Sequence, residues 1–249
     1  MSDLWNELQE LKKYKWIELS HSLNNDSPIW SGMPEGVLEI GKTVYDYDQE
    51  LRLRIQTFKF PGQFGTHIDF PVHFAQGGAA SESFGIKDTV LPLVVLDISE
   101  KAKTNPDYEL KLSDIEEHEK KYGRIPEGSF VALRTDWSKR WPDGDKLSNA
   151  DAQGNEHFPG WTLETLKFLI KDRNIAGNGH ETLDTDASVG ALREGDLACE
   201  RYVLEQGKFQ LEVLNNLDKL PPVGAVIFIA FPRIENATGL PARVWAITE

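Results

Sequence analysis

The segment from Gln63 to Phe74 has all its amide, imidazole and carboxylate side chains at odd positions, and its even positions are nearly all apolar. Its odd positions are Gln63, Gly65, His67, Asp69, Pro71 and His73, and its even positions are apolar apart from Thr66. Alternation with a period of two is typical of a strand with two different faces. Because neutral imidazole and carboxylate are common ligands of zinc and similar divalent ions, the pattern predicts a metal site on one face.

Spacing limits which of these residues can share one ion. In a strand the α-carbons of His67 and Asp69 would lie about 6.6 Å apart on the same face, so both side chains can converge on an ion. His67 and His73 would be about 20 Å apart in a straight strand. Pro71 cannot donate a ladder hydrogen bond, so we expect the strand to end there. A bend at Pro71 would bring His73 back, either as a ligand or as a base.

The non-functional alternative is a strand with one exposed polar face and two incidental histidines. Short motifs do arise by chance, so the segment alone does not prove a site. An ordinary solvent face, however, carries Lys, Glu, Ser and Thr rather than imidazole, amide and carboxylate. We therefore favour the metal site.

The segment resembles the signature His-x-Gly-Thr-His-x-Asp-x-Pro-x-His of the putative cyclase family. Residues 65–67, Asp69, Pro71 and His73 match position by position, whereas Gln63 replaces the first histidine. The family includes bacterial kynurenine formamidases, isatin hydrolases and related metal-dependent amide and lactone hydrolases. The resemblance covers nearly the whole chain and implies the family's fold, a three-layer β/β/α, swivelling-domain-like arrangement with a central mixed sheet.

The remaining elements agree with an α/β protein. Many strands with interspersed helices and no clean linker favour a single domain over residues 1–249. Periodicity predicts helices over residues 3–13, 113–122, 162–172 and 196–207, with Ser113 and Asp196 as caps of the second and fourth. It predicts strands over residues 16–23, 51–60, 90–98, 129–135, 208–214, 223–231 and 241–248, and a long loop over 138–158. The 51–60 strand would pair with the motif strand or with residues 37–45.

A second group of candidate ligands lies near the carboxyl end of the chain. Glu200 falls on the apolar stripe of the helix over 196–207, where a buried carboxylate is costly unless it is paired or bound to metal. Glu212 lies in the strand that follows. The resemblance implies that Glu200 and Glu212 occupy the positions of a family His and Glu twelve residues apart. The alternative for Glu200 is an ion pair with Arg201 or Arg193.

Three further residues are candidates for the substrate pocket. The resemblance places Trp30 there, although an isolated tryptophan is more often a core residue. His180 and Glu181 follow a short strand within the polar, glycine-containing segment 174–186, which suggests a strand end that opens on a site; the alternative is a surface turn. Of the other histidines, we expect His21 to be structural and His118 to be solvated, and His157 has no assignable role.

Composition excludes several classes of partner. The formal net charge of −13 over 249 residues disfavours nucleic acid and anionic membrane surfaces, which attract Lys and Arg clusters. Cys199 is the one cysteine, so no intrachain disulfide can form. We see no signal peptide, and no apolar stretch reaches the ~18 residues of a membrane span. The expected location is the cytoplasm.

Together these observations predict one divalent ion, Mn²⁺ or Zn²⁺. The resemblance implies that it is held by His67, Asp69, Gln63 and Glu200, with Glu212 as an additional ligand or as a partner of the ligands. Oxygen ligands in place of two histidines favour a harder ion, which makes Mn²⁺ as plausible as Zn²⁺, and they favour one metal site over two.

The predicted activity is hydrolysis of an amide, formamide or lactone bond in a small molecule. The ion would activate water and polarise the carbonyl, and His73 would be the general base and later the acid. Two alternatives stay open: a degenerate metal-binding homologue without hydrolase activity, and a lyase or cyclase that polarises a carbonyl. We expect a homodimer or homotetramer, with the N-terminal helix within residues 1–14 at its interface.

Overall fold

The computed structural model describes residues 3–47 and 50–249. Its strands are β1 (Lys15–Glu18), β2 (Glu39–Asp46), β3 (Arg54–Lys59), β4 (His67–Asp69), β5 (Val90–Asp97), β6 (Phe130–Arg134), β7 (Gly177–His180), β8 (Phe209–Glu212), β9 (Ala225–Ala230), β10 (Gly239–Pro241) and β11 (Arg243–Thr248). Its α-helices are α1 (Leu4–Leu11), α2 (Ser99–Thr104), α3 (Leu112–Tyr122), α4 (Gly144–Ser148), α5 (Leu163–Lys171), α6 (Ser188–Glu194) and α7 (Ala198–Glu205).

Nine strands form one mixed sheet, in the order β1-β11-β9-β5-β6-β7-β8-β4-β10. The four central strands β5, β6, β7 and β8 are parallel neighbours, and the other pairings in this sheet are antiparallel. The predicted α/β class with a mixed sheet is therefore confirmed. Strands β2 and β3 pair with each other in a separate two-stranded sheet, which decides between the two pairings open to the 51–60 strand.

Two apolar cores occupy opposite faces of the sheet. One core contains Ile68, Phe130 and Leu211 together with residues of β9, β10 and β11. Strands from both ends of the curled sheet therefore contribute side chains to it. The other contains Val131 and Leu133 and packs against helices α3, α5 and α7. Since alternate residues of a strand face opposite sides, His67 and Asp69 of β4 point away from the first core. The predicted ligands therefore lie on the helical side.

The motif segment is less extended than its alternation predicts. Strand β4 covers only His67–Asp69, and a 3-10 turn covers Pro71–His73. Proline fixes its own φ and has no N–H for the ladder, and the chain turns at Pro71 as expected. The result is a short strand with a bend that redirects His73.

Several local predictions were wrong. His118 is buried rather than solvated, because α3 packs that face against the second core. Helix α3 begins at Leu112, and Asp114 rather than Ser113 closes its first turn by accepting from the Lys111 N–H. The 138–158 segment contains α4. No helix in the part of the chain that the structure describes is long and apolar enough to cross a membrane.

Candidate metal centre

The predicted site lies where β4 and β8 face each other. His67 is directly opposite Glu212 in the antiparallel pair, and Asp69 is opposite Gln210. The Nε2 atom of His67 is 3.3 Å from Asp69 Oδ2 and 3.3 Å from Glu212 Oε2. All three side chains are buried. They converge at the carboxyl ends of β7 and β8, the edge at which open α/β sheets usually bind ligands.

The backbone beside His67 fixes which of its ring nitrogens can bind an ion. Nδ1 lies 2.8 Å from the carbonyl oxygen of Gly65 and donates to it. Gly65 has φ +60°, which costs glycine little, and a Cβ there would lie 2.2 Å from Cδ2 of Leu23. The bend at Gly65 thus aims its carbonyl at the imidazole and leaves Nε2 facing Asp69 and Glu212, which is the usual arrangement of a metal-binding histidine.

His67 Nε2 is also a buried polar atom without a hydrogen-bond partner in the described structure. The two carboxylate oxygens at 3.3 Å surround it but lie outside hydrogen-bond geometry. A buried polar atom of this kind normally has a partner, because leaving it unpaired costs free energy. The donor set is one imidazole nitrogen and two carboxylate oxygens around a common point, and it fits a divalent ion.

A second group of possible ligands shares Glu212. It consists of Asp184, Glu200 and Glu212, whose ligand oxygens lie within 4.8 Å of one another. Asp184 was not singled out from the sequence, although it lies in the polar segment after β7. The signal was present as a run of acidic and hydroxyl residues, but nothing in the spacing showed which of them turns inward.

Electrostatics in the metal-free chain favour a cation at this point. Burial, together with the nearby carboxylates of Glu212 and Asp69, raises the pKa of Glu200 well above its ordinary value. Burial and Glu212 likewise raise the pKa of Asp184. Burial lowers the pKa of His67, but Asp69 and Glu212 outweigh it and raise that pKa well above 6.5. Like charges without a partner are costly to bury, and a cation among them would offset that cost.

Glu200 enters the site from the first turn of α7. It is 3% exposed. The alternative ion pairs are not present, since Arg201 contacts Asp196 at 2.6 Å and Arg193 contacts Glu109 at 2.7 Å. The predicted inward placement is confirmed, whereas the predicted cap is wrong.

The carboxylate that caps α7 belongs to Asp186. It accepts from the N–H groups of Cys199 and Glu200, while Asp196 is occupied by Arg201. This contact fixes the start of α7 beside the segment after β7. It thereby sets the depth at which Glu200 enters the site.

His73 comes to the edge of the site through the 3-10 turn. Its Nε2 lies 3.8 Å from Glu200 Oε1, and its ring packs edge-on against Phe74 with centroids 4.9 Å apart. The side chain of His73 is 30% exposed, unlike that of His67. His73 therefore has access both to the buried carboxylates and to solvent.

Gln63 lies against Asp69 through its amide. The Nε2 atom donates to Asp69 Oδ1 at 3.0 Å. Gly239, opposite Asp69 in the β10–β4 pair, leaves the room for this contact, since a Cβ there would lie 2.2 Å from Gln63 Nε2. The structure thus brings Gln63 next to a predicted ligand.

The three pocket candidates are placed differently from one another. His180 is fully buried and lies 3.5 Å from Glu212 Oε1 through Nε2. Glu181 is also buried, and its carboxylate accepts from the backbone of Thr135 at 2.7 Å and from Ser138 at 2.6 Å. Trp30 is 69% exposed. Substrate contact by any of the three stays a prediction.

His157 and His21 lie in structural contacts. His157 Nδ1 is 2.8 Å from Asp107 Oδ1. This contact connects the 138–158 segment to the loop between α2 and α3. His21 stacks on Trp141 with ring centroids 4.5 Å apart. The structural role expected for His21 agrees with this packing, and His157 now has a contact that the sequence did not show.

Comparison with known proteins identifies the family. The model of the putative cyclase family matches residues 17–187. An isatin hydrolase of Roseibium aggregatum is 34% identical over 187 residues, which cover 74% of this chain and 70% of that protein. A kynurenine formamidase of Bacillus anthracis is 29% identical over 89 residues, covering 36% of this chain and 41% of that protein.

A solved structure agrees over the whole length. Isatin hydrolase A from Labrenzia aggregata, bound to benzyl benzoate, superposes with a TM-score of 0.88 at 33% identity and covers 99% of both chains. The signature around His67 and the fold that carries it are thus shared with this family. The chain belongs to the putative cyclase family.

Proposed function

We propose that this protein is a metal-dependent hydrolase of an amide, formamide or lactone bond in a small molecule, with a cyclic amide or a formamide as the favoured target. The observation that carries the proposal is the placement of His67 Nε2, 3.3 Å from one carboxylate oxygen each of Asp69 and Glu212, with Nδ1 anchored on Gly65. The isatin hydrolase and kynurenine formamidase relatives support a C–N bond as the target.

The cofactor in this proposal is one divalent ion, Mn²⁺ or Zn²⁺. His67, Asp69 and Glu212 would hold it, with Gln63 and Glu200 beside them. Such an ion supplies Lewis-acid chemistry, which lowers the pKa of a water molecule and polarises a carbonyl. The group of Asp184, Glu200 and Glu212 makes a second ion a distinct outcome of the metal analysis below.

His73 is the proposed general base. It borders the site 3.8 Å from Glu200, and an imidazole can take a proton from water and return it to the leaving nitrogen. Glu200 would orient the ring. Since His73 is partly exposed, it can also exchange its proton with solvent after each turnover.

The surroundings of the site are proposed from the same resemblance. Trp30, His180 and Glu181 are the candidate pocket residues, and the chain is proposed to be one three-layer, swivelling-domain-like domain. Strands from both ends of the chain, β1 and β11, pair in the main sheet, which supports one domain. We propose a cytoplasmic enzyme without nucleic-acid or membrane partners, in keeping with the net charge of −13.

The deciding experiment combines metal analysis with turnover. Protein purified without added metal or chelator is analysed by elemental mass spectrometry, and then assayed against isatin, N-formylkynurenine and simple lactones. We expect about one Mn or Zn per chain and hydrolysis of at least one amide substrate. His67→Ala should lose the metal and the activity.

The controls separate the alternatives. His157→Ala removes a histidine that contacts Asp107 outside the site, so it should keep both metal and turnover. Stoichiometric metal retained in His67→Ala would refute the site. A wild type that binds neither Mn²⁺ nor Zn²⁺ on titration, or that binds metal without hydrolysing any substrate, would leave the non-catalytic homologue or the lyase as the better description.

A further inference from the structure

A buried amide bridges the two carboxylates that face His67. The Nε2 atom of Gln210 is 3.4 Å from Asp69 Oδ2 and 3.1 Å from Glu212 Oε1. Gln210 is fully buried and lies on β8 directly opposite Asp69. Its NH₂ group therefore sits between two like charges that come from different strands.

The orientation of this amide is fixed by the groups around it. Ionised carboxylates only accept hydrogen bonds, so the NH₂ end must face Asp69 and Glu212. The amide oxygen faces the hydroxyl of Thr185, which donates to it at 2.7 Å. A flipped amide would place its oxygen against two carboxylates, and that arrangement is repulsive.

The same logic extends from Thr185 to His180. Because the Thr185 hydroxyl gives its proton to Gln210, it can accept from His180 Nε2, which lies 3.1 Å away. His180 would then carry its proton on Nε2, and its Nδ1 would accept from the Thr182 hydroxyl at 3.1 Å. The opposite tautomer would donate from Nδ1 to the Thr182 carbonyl oxygen, 3.2 Å away, and the Thr182 hydroxyl would then donate to the carbonyl oxygen of Asp184. His180, Thr185 and Gln210 are fully buried, so water does not compete with these hydrogen bonds.

We propose that Gln210 is a positioning residue for the metal centre, oriented by a directional hydrogen-bond chain that runs from Thr182 through His180 and Thr185. Gln63 holds Oδ1 of Asp69 and Gln210 holds Oδ2, so the carboxylate is fixed at both oxygens. These hydrogen bonds hold the carboxylates of Asp69 and Glu212 at the separation that lets both, together with His67, bind one ion. This inference rests on the proposed metal-dependent function.

The proposal also gives a role to His180 that differs from substrate contact. Its imidazole donates to Thr185, and its Nε2 is only 3.5 Å from Glu212 Oε1. The Nε2-protonated tautomer of His180 would therefore keep the Thr185 hydroxyl directed at the Gln210 amide oxygen. Partners of this kind typically change metal affinity by about 10- to 100-fold when they are removed.

The test measures Mn²⁺ affinity by isothermal titration calorimetry in matched variants. Gln210→Met keeps the length of the side chain but removes the amide, and it should weaken Mn²⁺ binding by about 10-fold or more. Thr185→Val removes the hydroxyl and should weaken binding several-fold, whereas Thr185→Ser keeps the hydroxyl and should recover most of the loss.

Asn178→Leu is the control, because it replaces a different buried amide on the same face of the sheet. Asn178 lies opposite Gln210 on β7, is fully buried, and its amide has no hydrogen-bond partner in the described part of the chain. It should bind Mn²⁺ as the wild type does. Near-UV circular dichroism of the metal-free variants checks that each is folded.

A second measurement tests the direction of the hydrogen-bond chain in the metal-free protein. Nitrogen-15 NMR of the metal-free wild type should show His180 protonated on Nε2, and Thr185→Val should change that signal while Thr185→Ser preserves it. Wild-type affinity in folded Gln210→Met and Thr185→Val would overturn the positioning role alone. An Nδ1-protonated His180 would overturn the direction of the chain. A wild type that binds no metal would instead refute the proposed function.

Discussion

His67 and Glu212 are cross-strand partners, and their functional atoms meet 3.3 Å apart on the helical side of the sheet. They are 145 positions apart in the chain, so only the pairing of β4 with β8 brings them together. Side chains directly opposite in an antiparallel pair are held within about 5.5 Å at their Cβ atoms. Backbone hydrogen bonds therefore set the separation of these two groups, and the site needs little rearrangement to receive an ion.

Loss of the base should separate turnover from metal binding. In His73→Ala we expect the metal content to be unchanged and kcat to fall by about 10²-fold or more, because His73 borders the carboxylates from a partly exposed position. Elemental analysis and steady-state kinetics on the same preparation check this. Unchanged turnover would remove His73 as the base, and parallel loss of metal would make it a ligand.

Gly239 should not tolerate a side chain. An alanine Cβ at this position would lie 2.2 Å from Gln63 Nε2 and 2.7 Å from Asp69 Oδ1. We expect Gly239→Ala to lower the free energy of unfolding by about 1–3 kcal/mol and to weaken metal binding as Gln63 is displaced. Chemical denaturation and calorimetry measure the two effects.

Gly85→Ala is the matched control for Gly239→Ala. Its Cβ would meet only the carboxylate of Asp88, at 3.3 Å, and that side chain can move. We expect no change in metal affinity and little change in stability. Equal effects of the two substitutions would show that the space at Gly239 is not specific to the site.

His21 should make the protein less stable in mild acid. Burial lowers the pKa of His21 from 6.5 to about 4, so the unfolded chain binds this proton more readily between those values. The folded state therefore loses stability as the pH falls from about 6.5 toward 4. For this partly exposed ring we expect a loss of about 1 kcal/mol between pH 7 and pH 5, after allowance for screening.

A phenylalanine at this position isolates the effect. His21→Phe keeps an aromatic ring against Trp141 but cannot bind a proton. Unfolding of both proteins by guanidinium chloride at pH 7 and pH 5 should show the variant gaining about 1 kcal/mol relative to the wild type at the lower pH. An equal pH dependence of the two proteins would contradict this assignment.

The apolar surface at the start of the chain should be covered by a second copy. Helix α1 has no buried residue, and Leu4 and Trp5 are 74% and 77% exposed. On the neighbouring face of the sheet, Trp16 is 48% exposed and stacks on Phe228. Each copy offers both an uncovered helix stripe and an uncovered sheet face, so a twofold pairing would bury both.

Light scattering after size exclusion tests this oligomer. The wild type should be a dimer or tetramer, and Leu4→Ser with Trp5→Ser should shift it toward smaller species. Leu192→Ser is the control, because Leu192 is 64% exposed but lies on α6. A monomeric wild type would refute the expected homo-oligomer, and an unshifted double variant would place the interface elsewhere.

Much of the local structure could be predicted from the sequence. The alternation around His67 indicated a strand with a ligand face, Pro71 indicated its end, and the apolar stripe of α7 indicated that Glu200 turns inward. These features depend on periodicity and on the fixed φ of proline, which act over a few residues. These features can therefore be predicted from the sequence without knowledge of the fold.

The long-range partners could not be predicted in the same way. Asp184 and Gln210 were missed, and Asp186 rather than Asp196 caps α7, because each choice depends on which strand ends meet. An acidic or amide residue looks the same in sequence whether it faces water or a neighbouring carboxylate. Sequence alone determined the residues that can bind a metal and the strand that presents them; the register of β4, β8 and β7 decided which carboxylates and amides surround His67.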